Sequence, residues 1–299
     1  MDLLSAVLRE LRFESAGYRW LELGAPYRVT FDRPGLRGVH LVARGACELD
    51  DGAITRLEAG DLVIFPRGHA HTLRSPGAGT VPAVSGFDLA TRTPGNRLRA
   101  GHPTVDTVVV CGAFLVGEPD HPALRGIPRR LHVPGTGGRP AAWLAPLVDA
   151  LATEAFDGGP GSDLVMARLS DALLIRAIRH HSKTVDTPGW LAGLRDPYVA
   201  PALAALHADP ARPWTLAALA TTAGLSRAAF AARFTEAVGE PAMRYLLALR
   251  MQRARALLRD ERATVAAVAT QVGYRSEMAF AAAFKREIGI PPGAYRRTP

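Results

Sequence analysis

Apolar and polar residues alternate in short runs through the first 139 residues, and a helical period then replaces the alternation. The runs RGVHLVA, ACELD, DLVIFP, HTLR and DTVVVCGAFLV are broken by Gly, Pro and Asp. That spacing predicts an antiparallel sandwich or barrel over residues 1–139. Trp143, Leu147 and Leu151, followed by Leu164, Ala167, Leu174 and Ile178, predict helices over 140–183. The stretch SKTVDTPGWLAGLRDP carries turn residues and predicts a flexible linker over 184–195. Asp196 and Pro197 read as the cap and first turn of the helix opening the last block, 196–299.

That last block is duplicated. Thr215 to Tyr245 and Thr264 to Tyr295 both read as helix, glycine turn, helix, and Gly224, Phe230, Phe234, Gly239, Pro241 and Tyr245 answer to Gly273, Phe280, Phe284, Gly289, Pro291 and Tyr295. One residue is inserted between the turn glycine and the first phenylalanine of the second copy. Two copies are too few for a solenoid, so a duplicated small module is expected. In the first copy Leu216, Leu219 and Ala220 pack, Gly224 supplies a positive φ, Ser226 caps the next helix and the phenylalanines bury one face. In the second copy Val265, Val268, Ala269, Gly273 and Ser276 fill the same roles. This pattern predicts paired helix-turn-helix modules and binding to double-stranded DNA. Trp214 and Tyr245, at helix edges in apolar surroundings, read as core rather than base-stacking residues.

Charge points the same way. Residues 197–299 hold thirteen Arg and one Lys against seven acidic residues, a net of +7, whereas the preceding 196 residues contribute only +1 to the total of +8. A cationic balance confined to one third of a chain is the footprint of phosphate neutralisation. The 299 residues, 48% hydrophobic and 21% charged, allow two domains with real cores. No apolar run reaches eighteen residues, and the amphipathic, acid-containing MDLLSAVLRELRFES does not read as a secretory leader. Cys47 and Cys111 are too few for a disulfide framework. A cytoplasmic protein with no membrane association is expected.

Within the β-rich block, GDLVIFPRGHAH spaces Gly60, Pro66, Gly68 and His71 as G-x5-P-x-G-x-x-H. This resembles the second signature of cupin barrels, and the duplicated tail resembles the paired helix-turn-helix of the AraC/XylS family of bacterial transcription regulators. VHLVARG, PRGHAHTL, VVVCGAF and HPALRGIPRRLHV look like pieces of the subgroup whose sensor is a cupin. The resemblance implies a two-domain α+β protein: a cupin-like antiparallel β-barrel that senses an effector, a helical dimerisation segment, and an all-α DNA-binding domain. A long helix over about Pro241 to Arg259 would join two units whose recognition helices enter successive major grooves, about 34 Å apart. Implied partners are an operator duplex, a small-molecule effector, a second copy of the chain and RNA polymerase.

Carried over by motif, the base-reading positions are Arg227, Ala228, Ala231 and Ala232, beside the cap Ser226, and Glu277, Met278, Ala281 and Ala282, beside the cap Ser276. Relatives usually carry long polar side chains at several of these positions. The alanines cannot hydrogen-bond to bases, which predicts weaker direct readout and more reliance on thymine methyls, phosphates and DNA shape. Arg227, Arg233, Arg275, Lys285 and Arg286 are the candidate phosphate anchors.

In the sensor block, His40, His71, Cys111 and His121 lie on or beside strands and form a candidate metal set, for which zinc suits the mixed imidazole and thiolate donors. The usual cupin metal set is incomplete around HLVARG, where only His40 stands before Gly45. His69 and His132 are weaker candidates. The alternative is that His71 hydrogen-bonds internally, His40 packs, and Cys111 is a small buried hydrophobe. A Cys47–Cys111 disulfide would need Cα atoms within about 7 Å. Trp20, Phe31, Val42, Val63, Phe65 and Phe114 could line an apolar effector pocket or simply form core. The competing function is a metal-dependent cupin isomerase or dioxygenase with an accessory helical domain, which the incomplete histidine set and the basic repeat disfavour.

Overall fold

A computed structural model of the chain describes residues 2–118, 121–184, 187–260 and 262–297. Its contacts divide into two compact units that are not contiguous blocks. One holds residues 12–117 and 128–181; the other holds residues 1–11, 118–127 and 182–299.

The first unit is β-rich. Its strands are β1 (Phe13–Gly24), β2 (Arg28–Phe31), β3 (Arg37–Arg44), β4 (Ala46–Asp50), β5 (Ile54–Glu58), β6 (Leu62–Ile64), β7 (His71–Arg74), β8 (Val84–Ser85), β9 (Arg97–Gly101), β10 (Thr107–Val116) and β11 (Leu131–Val133). They form a six-stranded sheet in the order β11-β6-β3-β10-β1-β9 and a five-stranded sheet in the order β5-β4-β7-β2-β8. Leu21, Val42, Val63 and Val109 from the first sheet pack with Val29, Leu49, Leu57 and Leu73 from the second. The sandwich alternative thus applies in place of a closed barrel, and the pairs β1–β9 and β2–β8 are parallel rather than antiparallel. The segment of helical period over 140–183 holds α4 (Ala145–Asp157) and α5 (Ser162–Thr184); α2 (Gly86–Arg92) precedes β9.

The second unit is helical: α1 (Leu3–Leu11), α3 (Pro122–Arg125), α6 (Trp190–Gly193), α7 (Val199–Ala208), α8 (Leu216–Thr222), α9 (Arg227–Val238), α10 (Ala242–Leu258), α11 (Val265–Gln271), α12 (Glu277–Ile288) and α13 (Pro292–Tyr295). Residues 185 and 186 of the expected linker lie outside the described residues. The rest of that stretch is ordered by burial, because Trp190 and Leu191 are buried, α6 packs on α9 and the Trp190 indole donates to the Ala123 carbonyl at 2.7 Å. Asp196 caps as expected, accepting from the Tyr198 and Val199 amides. The amphipathic N-terminal segment forms α1, which buries Leu3, Val7, Leu8 and Leu11 and packs on α7. Among the described residues, no helix is long and apolar enough to cross a membrane.

Candidate DNA interface and sensor cavity

Each tail module is built from the same local bonds. Thr215 and Thr264 cap α8 and α11 by accepting from the amides of Ala218 and Ala267, both at 3.1 Å. Gly224 and Gly273 adopt φ of 67° and 85°, and the next amide, of Leu225 or Tyr274, closes back on the carbonyl of Ala220 or Ala269. This wide closing bond is the left-handed helix stop that glycine makes accessible. Ser226 and Ser276 then accept from Ala229 and Ala279 at 3.2 and 3.4 Å and start α9 and α12. Phe230, Phe234, Phe280 and Phe284 are fully buried, so the opposite faces of both helices point to solvent. Trp214 and Tyr245 are buried, in line with a core role.

The turn glycines differ in one respect. A Cβ on Gly224 would meet nothing within 4 Å, whereas a Cβ on Gly273 would lie 2.2 Å from the carbonyl oxygen of Ala211. The second turn is therefore seated against the loop between α7 and α8. Arg250 on α10 holds that loop from both sides, donating to the carbonyls of Pro210 and Arg212 at 2.8 Å each. Arg244 also ties α10 to α12 through Glu287 at 2.8 Å.

Ser226, Arg227, Ala228, Ala232, Arg275, Ser276, Glu277, Met278, Ala282 and Lys285 are exposed, and Ala231 and Ala281 are half-buried. The residue inserted in the second turn leaves Arg275 in the open between turn and cap. Arg233, expected as a phosphate anchor, instead donates to Asp196 at 2.7 Å and lies over the Tyr198 ring. The capping carboxylate is the reason, since it holds a lone pair toward α9. Arg286 stands 3.6 Å from Glu287. Of the five candidate anchors, Arg227, Arg275 and Lys285 are thus the ones left facing outward without an ion pair among the described residues.

In the β-rich unit, sheet register brings together three of the four candidate ligands. Cys111 pairs with His40 across β10 and β3, and His71 pairs with Phe31 across β7 and β2. Gly38 leaves the space that His71 occupies, since a Cβ there would sit 2.7 Å from the imidazole. His71 is sandwiched between Phe31 and Phe65, with ring centroids 5.2 and 3.9 Å away. Its Nδ1 donates to the His69 carbonyl at 2.7 Å, which leaves Nε2 as acceptor for His40 Nε2–H at 2.6 Å. His40 Nδ1 must then accept the Cys111 thiol proton at 3.2 Å. One tautomer of each ring satisfies every bond in this chain. Burial holds all three groups neutral: it lowers His71 to about 4, His40 well below its ordinary value, and raises the Cys111 thiol.

This geometry does not fit zinc. Two imidazole nitrogens bound tetrahedrally to zinc stand about 3.3 Å apart, more than the 2.6 Å here, and Cys111 addresses the opposite nitrogen of His40. His121 does not join the set. It follows the end of β10, belongs to the helical unit and bonds Glu10. His132 lies 3.5 Å from Asp61. Among the described residues, no group of three or more His, Cys, Asp or Glu side chains that could hold a metal is assembled. Cys47 and Cys111 are both buried free thiols, Cys47 raised by burial to about 12.

Beside His71 and Cys111 is a cavity of about 200 Å³ lined by Leu21, Phe31, Leu36, Phe87, Leu89 and Leu98, with Arg19 and Arg33 also on its wall. Of the six residues named from sequence as pocket candidates, Phe31 lines it; Trp20, Val42, Val63, Phe65 and Phe114 are buried elsewhere in the sandwich.

Two clusters in the helical unit were not foreseeable from spacing. Glu10 on α1 accepts from His121 Nε2 at 3.2 Å and stands 3.5 Å from His207 Nδ1 on α7; His207 Nε2 in turn meets the Tyr245 hydroxyl at 2.7 Å. Burial opposes the Glu10 charge, but the bonds from His121 and His207 outweigh it and bring its carboxyl down to about 2. Glu118 accepts from Gln252 on α10 at 2.5 Å and from Arg259, the C-cap of that helix, at 2.6 Å.

Two capped helix-turn-helix modules on a cationic tail, together with a two-sheet domain enclosing a cavity, define a DNA-binding transcription regulator. A cupin family model matches residues 2–183 and a helix-turn-helix domain model matches residues 219–298. AraC-like transcription regulators of Streptomyces lividans and Streptomyces antibioticus are each 37% identical over the whole chain and 99% of their own length. The DNA-binding domain of AdpA, solved in complex with a target DNA, is 32% identical over 34% of this chain and 90% of that one, with a TM-score of 0.32. The chain belongs to the AraC family of transcription regulators, with a cupin region preceding its helix-turn-helix domain. Its relatives are regulators, and the cupin-enzyme alternative falls with that finding.

Proposed function

We propose that this regulator is a cytoplasmic homodimer whose DNA grip responds to a small molecule held in the cupin cavity. The observation that carries this reading is the pair of matched, outward-facing helices α9 and α12 on the part of the chain with net charge +7. Arg227, Ala228, Ala231 and Ala232 on α9, and Glu277, Met278, Ala281 and Ala282 on α12, would face base edges in adjacent major grooves about 34 Å apart. Arg227, Arg275 and Lys285 would position the phosphates, with Arg286 beside them. Arg233 is better placed to orient α9 through Asp196. The cavity favours an apolar effector body, because the polar groups of His71 and Cys111 are already bonded within the protein. Leu164 and Val165 on α5, both exposed, suit a second copy of the chain, and dimerisation would make operator affinity depend on the spacing of two subunits. RNA polymerase is the expected partner at the promoter.

The test begins with selection of bound genomic fragments by the purified full-length protein, followed by titration in increasing salt. A steeply negative slope of log affinity against log salt is expected, and a slope near zero refutes phosphate-led docking. Sedimentation with and without the selected duplex must show a dimer in at least one condition. A compound that raises the melting temperature should lose that effect in Ala90→Phe, which fills the cavity from α2.

A further inference from the structure

Met278 is 83% exposed, the highest value among the large apolar side chains of the described residues. It occupies the first turn of α12, two residues after the Ser276 cap, on the side opposite the buried Phe280 and Phe284. At helical spacing it shares one stripe with Ala281, Ala282 and Lys285. The stripe carries no hydrogen-bonding side chain until Lys285. The corresponding stripe of α9 is Ala228, Ala231, Ala232 and Thr235, so the one long apolar side chain distinguishes the second module from the first. Small alanines allow the helix backbone to approach a groove floor closely. Met278 then projects beyond them by the length of its thioether.

In the major groove, the thymine 5-methyl group is the apolar mark that separates one base from the other three. We propose that Met278 contacts this methyl group and makes α12 a thymine reader that works by apolar contact rather than by hydrogen bonding. This inference rests on the reading that α12 enters a major groove. Lys285, two turns along the same stripe, supplies the positive charge that would hold this face against the phosphate backbone. Glu277 lies beside Met278 and is also exposed; its carboxylate penalises close phosphate approach and offers no attraction to the acceptor-bearing edge of thymine, so discrimination falls to the methyl contact.

The experiment replaces, one at a time, each thymine of the selected duplex with deoxyuridine, which removes the methyl and keeps the pairing. Affinity of the full-length protein is read by fluorescence anisotropy. At one or two positions the loss should be about fourfold, the value of one buried methyl-sized group. Met278→Ala should abolish the thymine-over-uracil preference at one such position and leave the salt slope unchanged, whereas Lys285→Ala should lower the slope by about one. Because Met278 is exposed, Met278→Ala leaves folding intact. The proposal is overturned if no thymine shows a preference while binding stays sequence-specific, or if Met278→Ala keeps every preference. Failure to bind any duplex above background would instead strike the groove-entry reading itself, and this inference with it.

Discussion

Substituting alanine at Gly273 and at Gly224 makes the same chemical change at equivalent turns, yet the two environments predict unequal costs. Both residues have left-handed backbone, so each alanine bears a strain of about 1–2 kcal/mol. At Gly224 nothing else is added, because the new methyl points into open space. At Gly273 the methyl would overlap the Ala211 carbonyl, and the flanking carbonyls are gripped by Arg250. Relief requires moving the α11–α12 module as a body, and overpacking of this kind adds about 1–3 kcal/mol. Gly273→Ala should therefore cost about 2–5 kcal/mol and Gly224→Ala about 1–2. Urea unfolding followed at 222 nm, with operator affinity measured in parallel, gives both numbers. A double-mutant cycle with Arg250→Met isolates the cause: with the loop released, the excess cost at Gly273 should shrink. Equal losses at the two glycines, or no coupling to Arg250, would refute the reasoning.

The buried clusters lead to four more expectations. The Glu10 carboxyl is depressed in the folded state, so its contribution to stability is present above its ordinary value of 4.5 and is lost as pH falls toward about 2; Glu10→Gln should flatten the dependence of urea midpoint on pH across that window. Arg259→Ala leaves buried Glu118 bonded to Gln252 on α10 without the guanidinium beside it and should cost about 1–3 kcal/mol in thermal unfolding, more than exposed ion pairs contribute. Burial raises the thiols of Cys47 and Cys111 above the ordinary range, so a disulfide reagent at pH 8 should label the native protein far more slowly than the denatured one. In the same samples, a metal chelator should leave the melting temperature unchanged.

Legibility from sequence followed the range of the interactions. The tail modules could be read because each determinant acts within a few residues: a capping hydroxyl three positions before its amide, a turn glycine, two phenylalanines four apart. The strands were visible through alternation, but their division into two sheets with parallel edges depends on pairings between distant runs. His40, His71 and Cys111 lie on strands whose convergence spacing does not establish, and their roles depend on tautomers that only distances reveal. His121 was misplaced because proximity to β10 in sequence hides the departure of the chain from the sheet after Gly117. Arg233 looked free because its partner lies thirty-seven residues earlier. Glu10 and Glu118, more than a hundred residues from His121 and Gln252 respectively, resemble ordinary surface acids until the fold is known.

The pairing of β1 with β10 has a consequence for how the chain can be divided. Phe13 lies opposite Val116, and the Gly117 amide donates to the Arg12 carbonyl at 3.1 Å, so two backbones leave the sheet together and continue as α1 and the 118–127 segment, which belong to the helical unit. No single scission therefore yields the whole of that unit. A fragment beginning at Ser182 would lack the carboxylates that meet His207, Gln252 and Arg259, and would uncover the apolar side of α7 against which α1 lies. Dissecting this regulator by limited proteolysis or by domain exchange calls for four cuts and the transplantation of both N-terminal pieces.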